Sequence, residues 1–301
     1  MRIVCAIDGS EYAQWGVQAL QALASREPEH VVLLHVVDPS MLQVTKGKNP
    51  VAVKRALAAL DKAGKLLLRE AERWAHVALS QAGTGPRTKF QTVLAHGPFA
   101  KTIALQAKRL KADLILMGSR GLSDIKGFLL GSTSRQVAAI TPCSLLVVKQ
   151  PITRFSRVAL AVDNSKPSRA AARFLRTRIL PESAAVSILT SAESPVTELA
   201  SQYLSEAQLA SLTKPVMDRA TTLVNAFRDD FIKDGYQAVP HVQMNHVIDT
   251  IVKHVEAEHA DLLVFGSREL TKTERLHLGS VSETLLRHAP CSVLIVRGTR
   301  A

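Results

Sequence analysis

Short apolar runs alternate along the chain with longer segments in which hydrophobic residues recur every three or four positions. In the first half, the apolar runs predict strands at Arg2–Asp8, Val31–Val37, Lys89–Ala95, Asp113–Met117 and Ser144–Val148. The longer segments predict helices at Glu11–Ser25, Val51–Gln81, Phe99–Leu110 and Ser132–Ile140. This alternation is typical of a parallel sheet, and the near-continuous apolar strands indicate that helices cover both faces.

The second half repeats the same alternation. Its strands are predicted at Val158–Asp163, Val186–Thr190, Ala238–Gln243, Leu262–Phe265 and Val293–Val296. Tyr203–Phe231 predicts the counterpart of the long second helix, and the spacing of its Leu, Val and Phe residues favours a buried face. The predicted fold class is therefore α/β and Rossmann-like, with a five-stranded parallel sheet in each half.

The two halves are copies of one another. Residues 112–149 align without a gap to residues 260–297, and 16 of the 38 positions are identical. The sequence around Arg2–Ser10 likewise matches that around Arg157–Ser165. A period of about 150 residues is too long for a solenoid and suits two homologous domains, which we place at residues 1–150 and 151–301.

Composition narrows the class of protein. A hydrophobic content of 47% and a charged content of 21% are those of a chain that buries full cores. No apolar run approaches the roughly 20 residues that span a bilayer, and the N-terminus turns polar too early for a signal peptide. The three cysteines all lie inside apolar runs, which argues against a disulfide framework. We therefore expect a cytoplasmic protein that does not enter the membrane.

The net charge of +12 is unevenly distributed. Residues 1–150 hold 20 basic and 10 acidic residues, whereas residues 151–301 hold 18 and 16. A basic excess favours anionic partners in general without selecting one. Because aromatic residues make up only 4% of the chain, a nucleic acid that stacks its bases on aromatic side chains is not expected.

A glycine pattern follows the fourth predicted strand. Two residues separate Gly118 from Gly121, and nine further residues separate Gly121 from Gly131 and Ser132, where a helix is predicted to begin. Glycine permits a positive φ or a close approach of the backbone to a ligand. The first amides of a helix lack internal partners and attract phosphate. Alternatively, the glycines form a plain turn and Ser132 is only a helix cap.

Asp8 ends the first predicted strand. Ligands of open α/β sheets bind beyond the carboxyl ends of the strands, at the point where the strand order reverses. If the first and fourth strands are neighbours, Asp8 lies beside Gly118 and could accept from a ribose hydroxyl or hold Mg²⁺ on phosphates. Its alternative role is to cap the following helix. The chain contains neither a Walker loop nor a G-x-G-x-x-G motif after this strand.

The G-2x-G-9x-G-[ST] pattern, the aspartate at the end of strand one and the second strand Leu33–Asp38 together resemble the universal stress protein family, in its tandem two-domain type. The resemblance covers nearly the whole chain and implies a bound ATP or related adenine nucleotide and pairing through the last strands. Adenine and ribose contacts are implied for Ala6, Ile7, Asp8, Val36 and Met117. Phosphate contacts are implied for Gly118, Arg120, Gly121, Gly131, Ser132, Thr133 and Ser134.

The second half departs from this pattern. Glu269 replaces the second glycine, and its carboxylate would repel a polyphosphate. Thr190 and Ser191 replace His35 and Val36, whereas Asp163 still matches Asp8. We therefore expect a weak, empty or differently loaded second site.

The leading hypothesis is a regulatory stress-response protein that holds an adenine nucleotide in its N-terminal half. The C-terminal half would serve as an internal pseudo-dimer partner, with a homodimer of chains left open and the protein partners unidentified. A slow Mg²⁺-dependent ATPase and a nucleotide-independent interaction protein are the alternatives. His35 is interpreted as a core histidine with satisfied hydrogen bonds, since apolar residues flank it.

Overall fold

The computed structural model describes residues 1–26, 28–42, 50–83, 88–121, 130–267 and 278–298. Ten strands form one sheet in the order β3-β2-β1-β4-β5-β10-β9-β6-β7-β8. Each half contributes five parallel strands, as the sequence predicts. The two sets join where β5 pairs antiparallel with β10, with Leu146 opposite Leu294. The last strands therefore pair within one chain.

The first half contributes β1 to β5 and five helices. Its strands are β1 (Arg2–Ile7), β2 (His30–Val37), β3 (Lys89–His96), β4 (Leu114–Gly118) and β5 (Ser144–Val148). Its helices are α1 (Glu11–Gln18), α2 (Leu20–Leu23), α3 (Pro50–Gln81), α4 (Phe99–Arg109) and α5 (Ser132–Ile140). Most boundaries agree with the predicted ones to within one or two residues.

The second half follows the same order. Its strands are β6 (Arg157–Ala161), β7 (Ala185–Ala192), β8 (Gln237–Met244), β9 (Leu262–Ser267) and β10 (Ser292–Arg297). Its helices are α6 (Lys166–Phe174), α7 (Glu198–Ser201), α8 (Glu206–Lys233), α9 (Val247–Ala257) and α10 (Ser280–His288). A five-residue π turn at Leu175–Ile179 extends α6.

Each face of the sheet carries one apolar layer to which both halves contribute. The layer containing Leu33, Leu146, Phe155 and Phe231 packs against helices α1, α3 and α8. The opposite layer includes residues of α4, α5, α9 and α10. Because both layers continue across the β5–β10 junction, the two halves share their cores instead of only touching at a surface.

Two predicted helices differ in extent. The helix predicted at Glu11–Ser25 breaks at Ala19 into α1, α2 and a 3-10 turn at Ala24–Arg26. Ala19, Leu20, Ala22, Leu23 and Ala24 are all buried, and these five of six consecutive positions are more than the apolar stripe of one straight helix covers.

The long helix of the second half begins later than predicted. Ser205 caps α8 through a capping box with Gln208, which leaves Tyr203 outside the helix and 81% exposed. The predicted buried face exists at Val224, Phe227 and Phe231, in the C-terminal part of α8.

Two cations at equivalent positions of the repeat cross the junction between the halves. Lys149 Nζ donates to the Ala289 carbonyl at 2.6 Å, beyond the end of α10. Arg297 donates from a terminal guanidinium nitrogen to the Ala138 carbonyl of α5 at 2.7 Å. Each cation thus bonds to backbone of the opposite half near a helix C-terminus, where the helix dipole favours positive charge.

We expect the ionisation of Lys149 to make the free energy of unfolding depend on pH in the alkaline range. Burial lowers the pKa of Lys149 to about 8, because the charged ammonium loses hydration, and the nearby Arg120 guanidinium lowers it further. Between pH 8 and the ordinary pKa of about 10.5, the unfolded state binds more protons than the folded state, so this group's contribution to stability rises with pH.

The measurement is the free energy of unfolding of the wild type and of Lys149→Met at pH 7, 8, 9 and 10. The free energy of unfolding of the wild type, relative to that of the variant, should rise by on the order of 2 kcal/mol above pH 8. Below pH 8 the difference between the two proteins should stay constant. A difference independent of pH would show that Lys149 keeps its ordinary pKa.

All three cysteines are free and buried. Burial raises the pKa of the Cys143 thiol to about 11 and that of Cys291 to about 12, and it raises the pKa of Cys5 further still. These thiols therefore act as core residues, which agrees with their positions inside apolar runs. Among the described residues, no helix is long and apolar enough to cross a membrane.

Candidate functional site

The order of strands reverses between β1 and β4. They are direct neighbours, with Ala6 opposite Met117, so Asp8 and Gly118 both lie at the carboxyl edge of adjacent strands. A cavity of about 420 Å³ opens at this edge. That volume lies within the usual range for a small-molecule site, and the position is where open parallel sheets bind ligands.

Nearly all of the predicted site residues line this cavity. Those that do are Ala6, Ile7, Asp8, Val36, Met117, Gly118, Arg120, Gly121, Ser132, Thr133 and Ser134. Gly131 is the exception. The residues thus come together from β1, β2, β4 and α5, although Ala6 and Ser134 are 128 positions apart along the chain.

The turn after β1 fixes the Asp8 carboxylate. Gly9 adopts a φ of 87°, which lets the chain reverse directly into α1. Ser10 caps α1 by accepting from the Ala13 amide at 3.1 Å, so Asp8 does not act as the cap itself. Asp8 Oδ1 accepts from the Ser10 amide at 3.0 Å and from its hydroxyl at 2.6 Å. Asp8 Oδ2 makes no hydrogen bond with the described residues and remains available to a ligand.

Gly118 is required for packing. Its φ is not positive, contrary to one role the sequence suggested, and a Cβ there would lie 2.5 Å from the Tyr12 carbonyl carbon. Helix α1 therefore crosses the end of β4 at a distance that only glycine allows. Gly266 has the same role in the second half, where a Cβ would lie 2.2 Å from the Pro167 carbonyl oxygen.

The start of α5 is joined to the end of β4 by two hydrogen bonds. The Gly131 amide donates to the Ser119 carbonyl at 2.8 Å, so it is not free for phosphate. Gly131 is the N-cap in place of Ser132, with φ at −72°. The buried Ser134 hydroxyl donates to the Gly118 carbonyl at 2.9 Å and so joins helix to strand.

These bonds leave a group of free donors. α5 has no side-chain cap, and the amides of Ser132, Thr133 and Ser134 make no hydrogen bond with the described residues. Three residues with unpaired amides, at the positive end of a nine-residue helix, thus line the cavity. Such an arrangement binds phosphate oxygens.

The Arg120 side chain contacts α1. One terminal nitrogen of its guanidinium donates to the Tyr12 hydroxyl at 3.1 Å, and the group lies 5.4 Å from the centre of the Tyr12 ring. The residue still lines the cavity, so its charge contributes to the field there. Residues 122–129, which separate Gly121 from the start of α5, lie outside the described part of the chain.

The sequence did not identify the wall formed by α3 and His35. Leu60, Ala63, Gly64 and Leu67 lie on one face of α3 and line the cavity opposite the sheet. His35 also lines it, although its Nδ1 bonds to the Ile7 carbonyl at 2.7 Å, as expected of a satisfied core histidine. The i, i+3, i+4, i+7 spacing of the α3 residues was visible in the sequence, but it does not distinguish a cavity wall from a core face.

The equivalent edge of the second half is built differently. Asp163 Oδ1 accepts from the hydroxyls of both Ser165 and Ser168, the latter at 2.5 Å. Glu283 stands in the first turn of α10, and its carboxylate lies 3.7 Å from the Arg135 guanidinium of α5. The predicted effect of Glu269 lies outside the described residues.

The fold and the cavity define the class of this protein. It is a doubled α/β protein with a ligand-sized cavity at the switch point of its first half. The model of the universal stress protein family matches the chain twice, over residues 1–149 and 154–297. The chain therefore belongs to the universal stress protein family, and the double match fits a tandem arrangement.

Individual relatives agree. The universal stress protein YxiE of Bacillus subtilis is 28% identical over 98% of its own length and 49% of this chain. A Thermus aquaticus universal stress protein, from the region 3' of QAH/OAS sulfhydrylase, is 31% identical over 97% of its length and 49% of this chain. The crystal structure of a universal stress protein from Archaeoglobus fulgidus covers 98% of this chain and 96% of its own, with 19% identity and a TM-score of 0.72. That last similarity concerns the fold.

Proposed function

We propose that this protein is a stress-response regulatory protein that binds ATP or a related adenine nucleotide in its N-terminal half. The observation that carries the proposal is the set of unpaired amides at Ser132, Thr133 and Ser134, at the end of a cavity large enough for a nucleotide. The cavity is lined by apolar side chains at one end and by hydrogen-bond donors at the other, which suits a ligand with an apolar and an anionic end.

The phosphates are assigned to the end beside α5. There the helix N-terminus and the Ser132 and Thr133 hydroxyls supply donors, and the Arg120 charge adds to the positive field. The nucleoside is assigned to the opposite end, where Val36, Met41 and the α3 face provide apolar contact.

Asp8 lies between these two ends. Its free Oδ2 suits a hydrogen bond from a ribose hydroxyl, or one bond to a Mg²⁺ ion that the phosphates also coordinate. Mg²⁺ commonly uses one or two carboxylates together with substrate phosphates and waters, so a single Asp fits this role. When bound, Mg²⁺ would neutralise phosphate charge.

The second half is proposed to bind nucleotide weakly or not at all. Two serine hydroxyls occupy one oxygen of Asp163, and the Glu283 carboxylate lies in the first turn of α10. Glu269 stands where the first half has Gly121, and a carboxylate there would repel a polyphosphate, whereas Glu283 pairs with Arg135 of the corresponding turn in α5.

Isothermal titration with Mg-ATP tests the proposal directly. We expect one ATP bound per chain, because Glu269 replaces the second glycine of the pattern in the second half. Denaturing the mildly purified protein should also release an adenine nucleotide, which mass spectrometry of the supernatant should detect. Two equivalent sites would overturn the assignment to one half, and an absence of binding heat would end the proposal.

A further inference from the structure

We propose that the second half carries a separate binding site for a small organic phosphate, in a groove between α6 and α8. The groove has a volume of about 380 Å³, which lies in the lower part of the range usual for small-molecule sites. Both helices pack on the same apolar layer of the sheet, whereas the proposed nucleotide cavity lies at the carboxyl edge of the first half. The proposal therefore does not depend on the proposed function.

A row of cations follows one side of α6 and lines the groove. Successive members stand three or four residues apart, so the row extends over about three turns of helix. Like charges at this spacing repel one another, and a bound anion relieves that repulsion. The four cations are Lys166, Arg169, Arg173 and Arg176.

The last of these cations has a structural role. The Arg176 guanidinium donates to the Asp230 carbonyl at 3.0 Å and to the Asp234 carboxylate. It also lies 5.5 Å from the centre of the Phe231 ring. Arg176 thus joins the end of α6 to α8, and the three other cations are left for a ligand.

The charges of these three cations are not balanced by the protein. Lys166, Arg169 and Arg173 are exposed, and none of them forms an ion pair with a carboxylate of the described residues. Arg169 donates to the neutral side-chain carbonyl of Asn164 at 2.8 Å. Asp230 is the one acidic residue among the described residues that line the groove. An excess of cations that includes two guanidinium groups suits a phosphate monoester, which carries two charges and accepts paired hydrogen bonds.

The wall formed by α8 is apolar. Leu223, Ala226 and Phe227 stand at positions i, i+3 and i+4 of this helix and line the groove. Phe227 belongs to the buried apolar layer, and Leu223 packs against that layer. Apolar surface beside a row of cations favours a ligand that carries an organic group next to its phosphate over a free inorganic ion.

The first half lacks both features at the equivalent positions. Trp15 stands where α6 has Ala170, and its ring packs against the apolar layer and lies 4.7 Å from the Tyr12 ring. Alanine at this position leaves space beside α8 that an indole would fill. Because both halves have the same order of elements, the fold requires neither the alanine nor the cations. The residues that match the four cations in order are Glu11, Gln14, Gln18 and Gln21.

The experiment measures binding of 1-naphthyl phosphate to the full-length protein by fluorescence titration. Inorganic phosphate and 1-naphthol are titrated as well, because each carries only one of the two groups for which the groove is proposed. All titrations use the Ser132→Asp background, in which the phosphate site proposed for the first half is blocked. Circular dichroism confirms that each variant is folded.

Two variants copy the first half at the groove. Arg169→Gln with Arg173→Gln removes two exposed cations and should leave the fold unchanged, and Ala170→Trp fills the space beside α8. The matched control is Lys101→Gln with Lys108→Gln, which removes two exposed cations from α4, on the other face of the sheet. It changes the net charge by the same amount without touching the groove.

We expect one 1-naphthyl phosphate per chain, bound at least about tenfold more tightly than inorganic phosphate or 1-naphthol. Each groove variant should weaken binding by about tenfold or more, and the control should not weaken it. An unchanged affinity in Arg169→Gln/Arg173→Gln would overturn the proposal, as would an absence of binding or an equal affinity for inorganic phosphate. An equal loss in the control would also overturn it, because net charge alone would then explain the binding.

Discussion

Ser132→Asp is expected to weaken ATP binding at least a hundredfold. Ser132 is the first residue of α5 and is exposed beside the free amides. A carboxylate about 4 Å from a phosphate costs roughly 4 kcal/mol at an effective dielectric of 20, and salt screening reduces that value. Because a tenfold loss of affinity is about 1.4 kcal/mol, the expected range is about two to three orders of magnitude.

The fold should tolerate this change. An acidic residue in the first turn of a helix interacts favourably with the helix dipole, so the free energy of unfolding should stay equal or rise slightly. Ser280→Asp places the same charge at the equivalent position of α10 and serves as the control, with ATP affinity unchanged. Equal titration heats for wild type and Ser132→Asp would show that phosphate does not bind at the start of α5.

Gly118→Ala is expected to lower both stability and ATP affinity. The added methyl would lie 2.5–2.7 Å from backbone and Cβ atoms of Tyr12, so α1 must move away from the end of β4. Overpacking of this kind costs about 1–3 kcal/mol. Since Asp8 and Ser10 lie in the turn before α1, the displacement should also disturb the Asp8 carboxylate, which lines the cavity. Urea unfolding and titration with Mg-ATP measure the two effects.

Two matched glycines separate these effects. Gly266→Ala should destabilise by a similar amount, because its methyl would meet the Pro167 carbonyl at 2.2 Å, but it should leave ATP affinity unchanged. A Cβ at Gly279 has nothing within 4 Å, so Gly279→Ala should change the free energy of unfolding by less than about 1 kcal/mol. Loss of stability in all three variants to the same extent would contradict the packing explanation.

Much of the site could be predicted from the sequence, because its residues stand at ends of elements that the hydrophobic pattern defines. Asp8 and Gly118 end apolar strands, and Ser132 begins an amphipathic helix. Parallel strands place their carboxyl ends at one edge, so pattern alone brings these residues together. The individual bonds were less predictable. The Gly131 amide and the Ser134 hydroxyl resemble phosphate donors in sequence, yet they donate to the carbonyls of Ser119 and Gly118.

The sequence by itself determined the duplication, the alternation of strands and helices and the candidate site of the first half. These features depend on local periodicity and on residue identity, which are present in the chain before it folds. Only the tertiary structure decided that ten strands form one sheet, that α3 closes the cavity and that His35 borders it. The physical reason is that an apolar helix face and a histidine on an apolar strand look the same in sequence whether they meet side chains or an open cavity, and the packing of distant elements makes that difference.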